Sequence, residues 1–263
     1  MKKRSLLLVN SVLVFSALLM LWEAVILVFH VQPYMLPNPL TVATTTAERL
    51  PDLFAAFLIT AEEAAVGLLA AIVVGVLIAL VFARSTWVRR LLFPYTVLLQ
   101  TVPIMAVTPL IIIWVGAGFS AVMLIVFIFC LPSIIANTTQ GLISVDENLV
   151  QLFMMHNASQ FQVLRKLRFP HSLPYLFVGI RVASGVAAIG AIVGELFAGS
   201  TSVGHGGLGY SILYAQSQTQ TAYLFSLVVA ATALGFGFFF LAMFFEWMLL
   251  HNWHESATLS QLE

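Results

Sequence analysis

The sequence predicts an all-α integral membrane protein that crosses the bilayer about six times, with both termini in the cytoplasm. Of its 263 residues, 61% are hydrophobic and only 8% are charged, whereas a soluble domain carries about 25% charged residues. Six stretches are long and apolar enough for a membrane helix, which needs roughly 20 such residues. The basic residues between these stretches fall almost entirely on one side, which indicates the orientation.

The predicted spans are separated by short polar or glycine-containing segments, and they cover residues 6–29, 54–83, 91–115, 119–142, 173–198 and 222–250. The first span is too long for the core of a signal peptide, which has about 7–15 apolar residues, so we expect it to be retained. Pro103, Pro109 and Pro132 interrupt the third and fourth spans, and each should kink its helix.

The distribution of basic residues sets the orientation. With a cytoplasmic N-terminus, only Arg49 lies outside, Arg181 falls within the fifth span, and nine basic residues face the cytoplasm: Lys2, Lys3, Arg4, Arg84, Arg89, Arg90, Arg165, Lys166 and Arg168. This bias follows the positive-inside rule. The single domain, 1–263, then includes the outer loops 30–53 and 199–221, the cytoplasmic N-terminus 1–5, cytoplasmic helices within 143–172, and a cytoplasmic tail 251–263.

Small residues recur about every four positions along the second and fifth spans. They are Gly67, Ala71, Gly75 and Ala79 in the second span, and Gly179, Ala183, Ala187, Ala191 and Gly194 in the fifth. Such stripes allow helix backbones to approach closely. The pattern is typical both of packing within one bundle and of a seam with another subunit or a moving pore helix, and both interpretations stay open here.

The longest internal polar segment, residues 142–174, predicts two short helices. Ser144 and Glu147 have the spacing of a capping box that begins the first helix. Ser159 and Gln162 repeat that spacing for the second helix. The turn between them contains Asn157, a residue that tolerates the left-handed conformation.

Pro170 is expected to end the second helix, because the residue before a proline disfavours helical angles. Asp146 and Glu147 suit the first turn of the first helix, where the helix dipole favours acidic side chains. The basic residues Arg165, Lys166 and Arg168 would face lipid phosphates or an acidic partner.

The spacing in this segment is typical of a known transporter family. Asn157 is followed, after nine residues, by Leu-Arg-Phe-Pro at 167–170. This arrangement resembles that of the permeases of binding-protein-dependent ABC importers, whose cytoplasmic loop carries Glu-Ala-Ala, three residues, Gly, nine residues and Ile-x-Leu-Pro. Asn157 replaces the glycine, and Gln-Leu-Phe at 151–153 replaces Glu-Ala-Ala.

Further motifs follow in the order found in the nitrate, sulfonate, taurine and thiamine-pyrimidine subgroup of these permeases. They are Leu-Pro-Asn-Pro at 36–39, residues 100–103 and 108–116 of the third span, Asn-Thr-Thr-Gln-Gly-Leu at 137–142, Ser-Leu-Pro at 172–174 with Gly-Ile-Arg at 179–181, Glu195, and Gly-Leu-Gly at 207–209. The second span departs from the pattern, since Glu62 and Glu63 stand where relatives carry a basic residue.

The resemblance implies a type I importer permease, a non-enzymatic subunit that forms the path for a small solute such as nitrate, bicarbonate, a sulfonate, taurine or a pyrimidine. The chain has no G-x-x-x-x-G-K-[ST] loop, so ATP and Mg would bind to partner ABC ATPase subunits and no cofactor to this chain. The other implied partners are a periplasmic or lipid-anchored substrate-binding protein, a second and identical permease copy, and the lipids of a prokaryotic inner or plasma membrane. The formal net charge of zero gives no signal for nucleic acid.

Two groups of residues are expected to carry function. The group expected to couple to the ATPase comprises Val145, Asp146, Glu147, Gln151, Phe153, Asn157, Ala158, Ser159, Leu167 and Pro170. The group expected near the pore or its outer gate comprises Pro103, Thr108, Arg181 and Glu195. For Glu195, a carboxylate that reaches the headgroup region is an equally simple interpretation.

Two other classes of membrane protein stay open. A secondary transporter would need ion-coupling residues at mid-membrane and an inverted repeat, and we find no such repeat. An intramembrane hydrolase would need a histidine within reach of Ser184, and the six histidines all lie at span ends or in loops. The spacing of His251, His254 and Glu255 resembles that of metal ligands, but a helical tail is the simpler explanation, so we expect no metal site.

Overall fold

The computed structural model describes residues 2–198 and 206–251, and the regular structure within those ranges is helical, which confirms the predicted all-α fold. A π turn, Leu164–Arg168, joins the eighth helix to the ninth. The helices are α1 (Lys2–Phe29), α2 (Pro39–Glu48), α3 (Leu50–Arg84), α4 (Thr86–Thr101), α5 (Ile104–Val115), α6 (Phe119–Ile143), α7 (Glu147–Met155), α8 (Gln160–Val163), α9 (Phe169–Ala198), α10 (Leu208–Ser217) and α11 (Thr221–Leu250).

Helix α6 is the centre of the bundle, and both stripes of small residues pack against it. A Cβ atom added to Gly67 on α3 would lie 2.6 Å from Cβ of Val126 on α6. A Cβ atom added to Gly194 on α9 would lie 3.1 Å from Cγ1 of Val122 on α6. The stripes therefore serve packing within one bundle, because each lets a neighbouring helix approach the backbone of α6.

Helices α3 and α6 run parallel, because Gly67 lies beside Val126 and Gly75 beside Ile134. The chain between them must therefore return from one end of the bundle to the other. Helices α4 and α5 make this return as one broken crossing, since each is short and the axis turns by 102° between them. The break falls at Val102 and Pro103, and Pro103 is the N-cap of α5.

One of the predicted crossings is not a single helix. Helices α3, α6 and α11, together with the continuous stretch Gln160–Ala198, are each long and apolar enough to cross a membrane, and the pair of α4 and α5 makes a fifth crossing. Helix α1 (Lys2–Phe29) covers the predicted first span, and its portion Ser16–Phe29 is apolar. The third crossing was wrongly predicted as one kinked helix, because a proline at its centre ends α4 completely.

The two ends of the bundle differ in charge. One end, called the basic end here, carries Arg84, Arg89, Arg90, Arg165, Lys166 and Arg168. There the guanidinium of Arg168 donates a hydrogen bond to the carbonyl of Ala83 at 3.3 Å. At the opposite end, the guanidinium of Arg49 donates to Gln220 at 2.8 Å and lies 4.7 Å from the ring centre of Tyr223.

Both predicted outer loops contain helical segments within the described residues. The segment 30–53 contains α2 and the first turn of α3, because Asn38 caps α2 by accepting the N–H of Thr41 and Pro39 suits its first position. The segment 199–221 contains α10. Both helices are too short and too polar for a membrane span.

Candidate functional site

Helix α7 begins at the basic end, two residues later than predicted. The predicted capping box of Ser144 and Glu147 is wrong: Asp146 is the N-cap, and its carboxylate accepts the N–H of Asn148 at 2.8 Å. Ser144 instead ends α6, and its hydroxyl donates to the carbonyl of Gly141 at 3.3 Å. A serine that completes one helix is not free to begin the next, so the nearer acidic residue takes the cap.

The turn after α7 has the predicted conformation. Asn157 has a φ of +54°, in the left-handed region that asparagine tolerates. The N–H of Ala158 donates to the carbonyl of Phe153 at 3.0 Å. The capping box of Ser159 and Gln162 is confirmed, with both of its hydrogen bonds present. These bonds fix the angle between α7 and the helix that follows.

Pro170 does not end the second helix, which corrects the prediction. The helix continues from Gln160 to Ala198, and Pro170 is its second residue after the π turn. In that turn, the N–H of Phe169 donates to the carbonyl of Leu164, five residues earlier. The missing N–H of Pro170 thus falls where the bonding pattern changes, and the helix accommodates it.

Helix α7 projects from the bundle and buries none of its residues in the described chain. It exposes Leu149, Leu152, Met154 and Met155, and Met155 is 80% exposed. A cleft of about 340 Å³ lies beside it, lined by Leu152, Phe153, His156, Asn157, Ala158, Gln162 and Lys166. Large apolar side chains on a projecting helix indicate an interaction surface.

Nine of the ten predicted coupling residues are at least partly exposed. Those fully exposed are Asp146, Glu147, Gln151, Asn157 and Ser159, and those partly exposed are Phe153, Ala158, Leu167 and Pro170. Val145 is the exception, since it is only 8% exposed and faces the bundle. It therefore anchors the segment rather than offering contact surface.

At the opposite end, the structure unites motifs that are distant in the sequence. The N–H of Gly209 donates to Glu195 Oε2 at 2.5 Å, and the N–H of Leu208 donates to Thr60 Oγ1 at 2.7 Å. Glu63 lies beside Glu195, and these carboxyl groups are 5% and 2% exposed. The interpretation of Glu195 as a carboxylate reaching the headgroups is therefore wrong.

The roles of Thr60 and Glu63 were missed, although the sequence contains a signal for Glu63. Glu63 stands four residues before Gly67 and Glu195 four residues after Ala191, so each carboxyl group continues a stripe of small residues by one turn. Because both stripes face α6, both carboxyl groups turn inward. Glu62, by contrast, is exposed.

The other predicted pore residues are not gathered with Glu195. Thr108 is fully buried, and its hydroxyl donates to the carbonyl of Ile104 at 2.8 Å. Pro103 is exposed at the break before α5. Arg181 lies 14 residues before Glu195 on α9, roughly 21 Å along the axis, and forms an ion pair with Glu246 of α11 at 3.2 Å. That pair gives Arg181 the partner that an ionisable group in a membrane span requires.

The residues considered for other functions occupy ordinary positions. The hydroxyl of Ser184 donates to the carbonyl of Ile180 at 2.7 Å, within its own helix. His251 lies at the end of α11, with Nδ1 3.0 Å from the carbonyl of Trp247. His254 and Glu255 lie outside the described residues.

Comparisons with known proteins agree with this geometry. The family model described as "Binding-protein-dependent transport system inner membrane component" matches residues 71–251. The formylaminopyrimidine transport permease protein ThiX of Halalkalibacterium halodurans is 30% identical over 204 residues, which cover 77% of this chain and 81% of that protein. The riboflavin transport system permease protein RibX of Chloroflexus aurantiacus is 29% identical over 241 residues, covering 91% of this chain and 88% of that protein.

The solved structures include a crystal structure of an amino acid ABC transporter with a similar fold. Its TM-score is 0.61 at 16% identity, and the match covers 78% of this chain and 98% of that one. The family model spans more than half of this chain, including α7, Glu195 and the motif at 207–209. The chain therefore belongs to the binding-protein-dependent transport system inner membrane components, as a multi-pass permease of an ABC transporter.

Proposed function

We propose that this permease works in an ATP-driven importer of the prokaryotic inner or plasma membrane and that α7 is its handle for the ATPase. One observation carries this proposal: α7 exposes apolar side chains at the basic end and has no burial of its own in the described chain. An amphipathic helix that lies in a groove of a partner is a common mode of recognition. The basic end is cytoplasmic by the positive-inside rule, which is where ATP is available.

The connection from α7 to the membrane suits the transmission of movement. The turn at Asn157 is held by hydrogen bonds, and the helix from Gln160 to Ala198 is continuous. A displacement of α7 would therefore pass along a rigid element to Glu195 at the opposite end. ATP and Mg would bind to the ATPase, whose closure would supply the displacement as a rigid-body transition.

The other partners follow from the surfaces that remain. Val178, Val182 and Ile189 form an exposed apolar face on α9, which a second copy of this chain would cover. A substrate-binding protein, soluble or lipid-anchored, would deliver the solute at the opposite end. There a cavity of about 430 Å³ is lined by the ends of α1, α2 and α11 and includes Arg49.

The solute is a small polar molecule under this proposal. The two relatives described above are named for formylaminopyrimidine and riboflavin. Both names fit organic solutes with hydrogen-bonding rings, whereas the sequence resemblance also allows small anions such as nitrate, bicarbonate or sulfonates. The binding protein would make the selection between these classes.

The composition of the purified complex tests this proposal. The chain should be expressed together with a candidate ABC ATPase and a candidate substrate-binding protein, extracted in mild detergent and measured by native mass spectrometry. We expect a complex of two copies of this chain and two ATPase subunits. A chain that stays alone, or that transports solute on an ion gradient without any ATPase, would contradict the proposal.

A further inference from the structure

Two buried carboxyl groups at the opposite end have hydrogen-bonding capacity that the described residues do not meet. Oε2 of Glu63 and Oε1 of Glu195 are each buried without a donor in residues 2–198 and 206–251. An ionised carboxylate that is buried without a donor or a counter-charge is costly, and the cost is larger in a membrane-spanning helix. Something that the backbone does not provide must therefore stabilise this pair.

In the described residues, a backbone N–H donates to Glu195 but not to the unpartnered oxygen of Glu63. The N–H of Gly209 satisfies Oε2 of Glu195, and the segment 206–209 covers the rest of that carboxyl group. A Cβ atom on Gly207 would overlap Oε1 of Glu195 and Oγ1 of Thr60. The backbone thus approaches the pair closely, and the close approach explains why glycine stands at position 207.

A metal ion does not fit this arrangement. Divalent cations bound by carboxylates take about six oxygen ligands, whereas the described residues form no group of three or more metal-ligating side chains. Oγ1 of Thr60 already accepts the N–H of Leu208 and donates to the carbonyl of Ala56. A single proton needs no additional ligands, since a carboxylic acid can donate to a neighbouring carboxylate.

The charged and titratable groups around the pair include no described basic partner for it. The only titratable residue of α6 is Cys130. The other titratable residues of α9, such as Arg181, lie far from Glu195 along the helix. On α3, Glu62 is adjacent and exposed. Tyr210 and Tyr214 of α10 and Tyr223 of α11 line the neighbouring cavity with Arg49 and Asp52. The guanidinium of Arg49 is engaged with Gln220 and Tyr223, and His205 lies outside the described residues.

We propose that Glu63 and Glu195 hold one proton between them and that this proton fastens the segment 206–209 to α3 and α9. Glu195 is the carboxylate, because it receives the backbone N–H, and Glu63 is the acid that donates to it. Such charge-assisted O–H···O⁻ bonds are short and strong. Loss of the proton would place two negative charges side by side and release Leu208 from its buried position. The pair is therefore a proton-dependent latch at the end of the bundle opposite to the basic end. This proposal does not depend on the proposed binding of α7 to an ATPase.

Infrared spectroscopy tests the proton directly. The full chain in lipid nanodiscs at neutral pH should show the C=O stretch of a protonated carboxyl group, which shifts in D₂O. The Glu63→Gln variant should lose this band, because its amide keeps the hydrogen bond to Glu195 without an acid. The Glu62→Gln variant is the matched control and should retain the band. Absence of the band in the unaltered chain, or its persistence in Glu63→Gln, would overturn the proposal.

Cysteine labelling tests the latch. Cys130 is the only cysteine and is buried, so Leu208→Cys in a Cys130→Ala chain reports the accessibility of the segment. Glu63→Gln should label as slowly as this parent, whereas Glu63→Leu, which lacks a donor, should label roughly tenfold faster. Equal rates for the Gln and Leu variants would show that the hydrogen bond does not hold the segment and would refute the latch. If Glu63→Leu fails to fold, the infrared comparison decides alone.

Discussion

Replacing Leu152 with aspartate should strongly weaken ATPase binding while the membrane bundle stays folded. Leu152 is exposed on α7 and lines the cleft beside the turn at Asn157. A charge at the centre of an apolar contact must be desolvated without a partner, and residues at such positions typically contribute about 2 kcal/mol or more to binding. We expect the Kd for the ATPase subunit to rise by about 30-fold or more, measured by titration in nanodiscs.

Gln151→Glu is the matched control for this variant. It adds the same charge to the same helix, one residue away, and it restores the glutamate found at this position in the family motif. Its affinity for the ATPase should equal that of the unaltered chain. If Gln151→Glu weakened binding as much as Leu152→Asp, net charge rather than the apolar face would determine binding. If neither variant changed the affinity, α7 would not be the docking helix.

Replacing Gly67 with valine should destabilise the bundle strongly. A Cβ atom at position 67 would lie 2.6 Å from Cβ of Val126 and 2.8 Å from the backbone carbonyl of Met123. A backbone carbonyl within α6 cannot move aside without shifting the central helix of the fold. Overpacking in well-packed cores costs about 1–3 kcal/mol, and the two extra methyl groups of valine place this variant at the upper part of that range.

Thermal unfolding in detergent measures this cost, and Gly237→Val provides the comparison. Gly237 lies on α11, where an added Cβ atom would meet none of the described atoms within 4 Å, so this variant should stay within about 0.5 kcal/mol of the unaltered chain. Both variants place a β-branched residue in a helix, so the difference between their unfolding midpoints measures the cost of the close contact between α3 and α6. Equal midpoints for both would mean that α3 and α6 are not in close contact.

The features that the sequence predicted correctly depend on local chemistry. The capping box at Ser159 and the left-handed turn at Asn157 each involve residues within four positions of one another. Stripes of small residues also predicted close packing, because a period of four places them on one helix face. What the stripes could not specify was the partner, since any helix of the bundle could have accepted them.

The features that were missed depend on contacts between distant parts of the chain. Glu63 and Glu195 are 132 positions apart, and Arg181 and Glu246 are 65 positions apart. No local pattern identifies such partners. The errors at Ser144 and Pro170 have another origin: at each position a neighbouring structure, the end of α6 or the π turn, changed the role that the residue would have had alone.

The location of α7 in the assembled transporter is the most direct test of its role as the handle for the ATPase. A Met155→Cys substitution in a Cys130→Ala chain places one reactive thiol on the most exposed part of α7. We predict a cross-link from this thiol to the ATPase subunit, and labelling by an impermeant maleimide only in inside-out vesicles stripped of the ATPase. Labelling from the outer face of intact cells, or an assembled complex without the cross-link, would contradict this role.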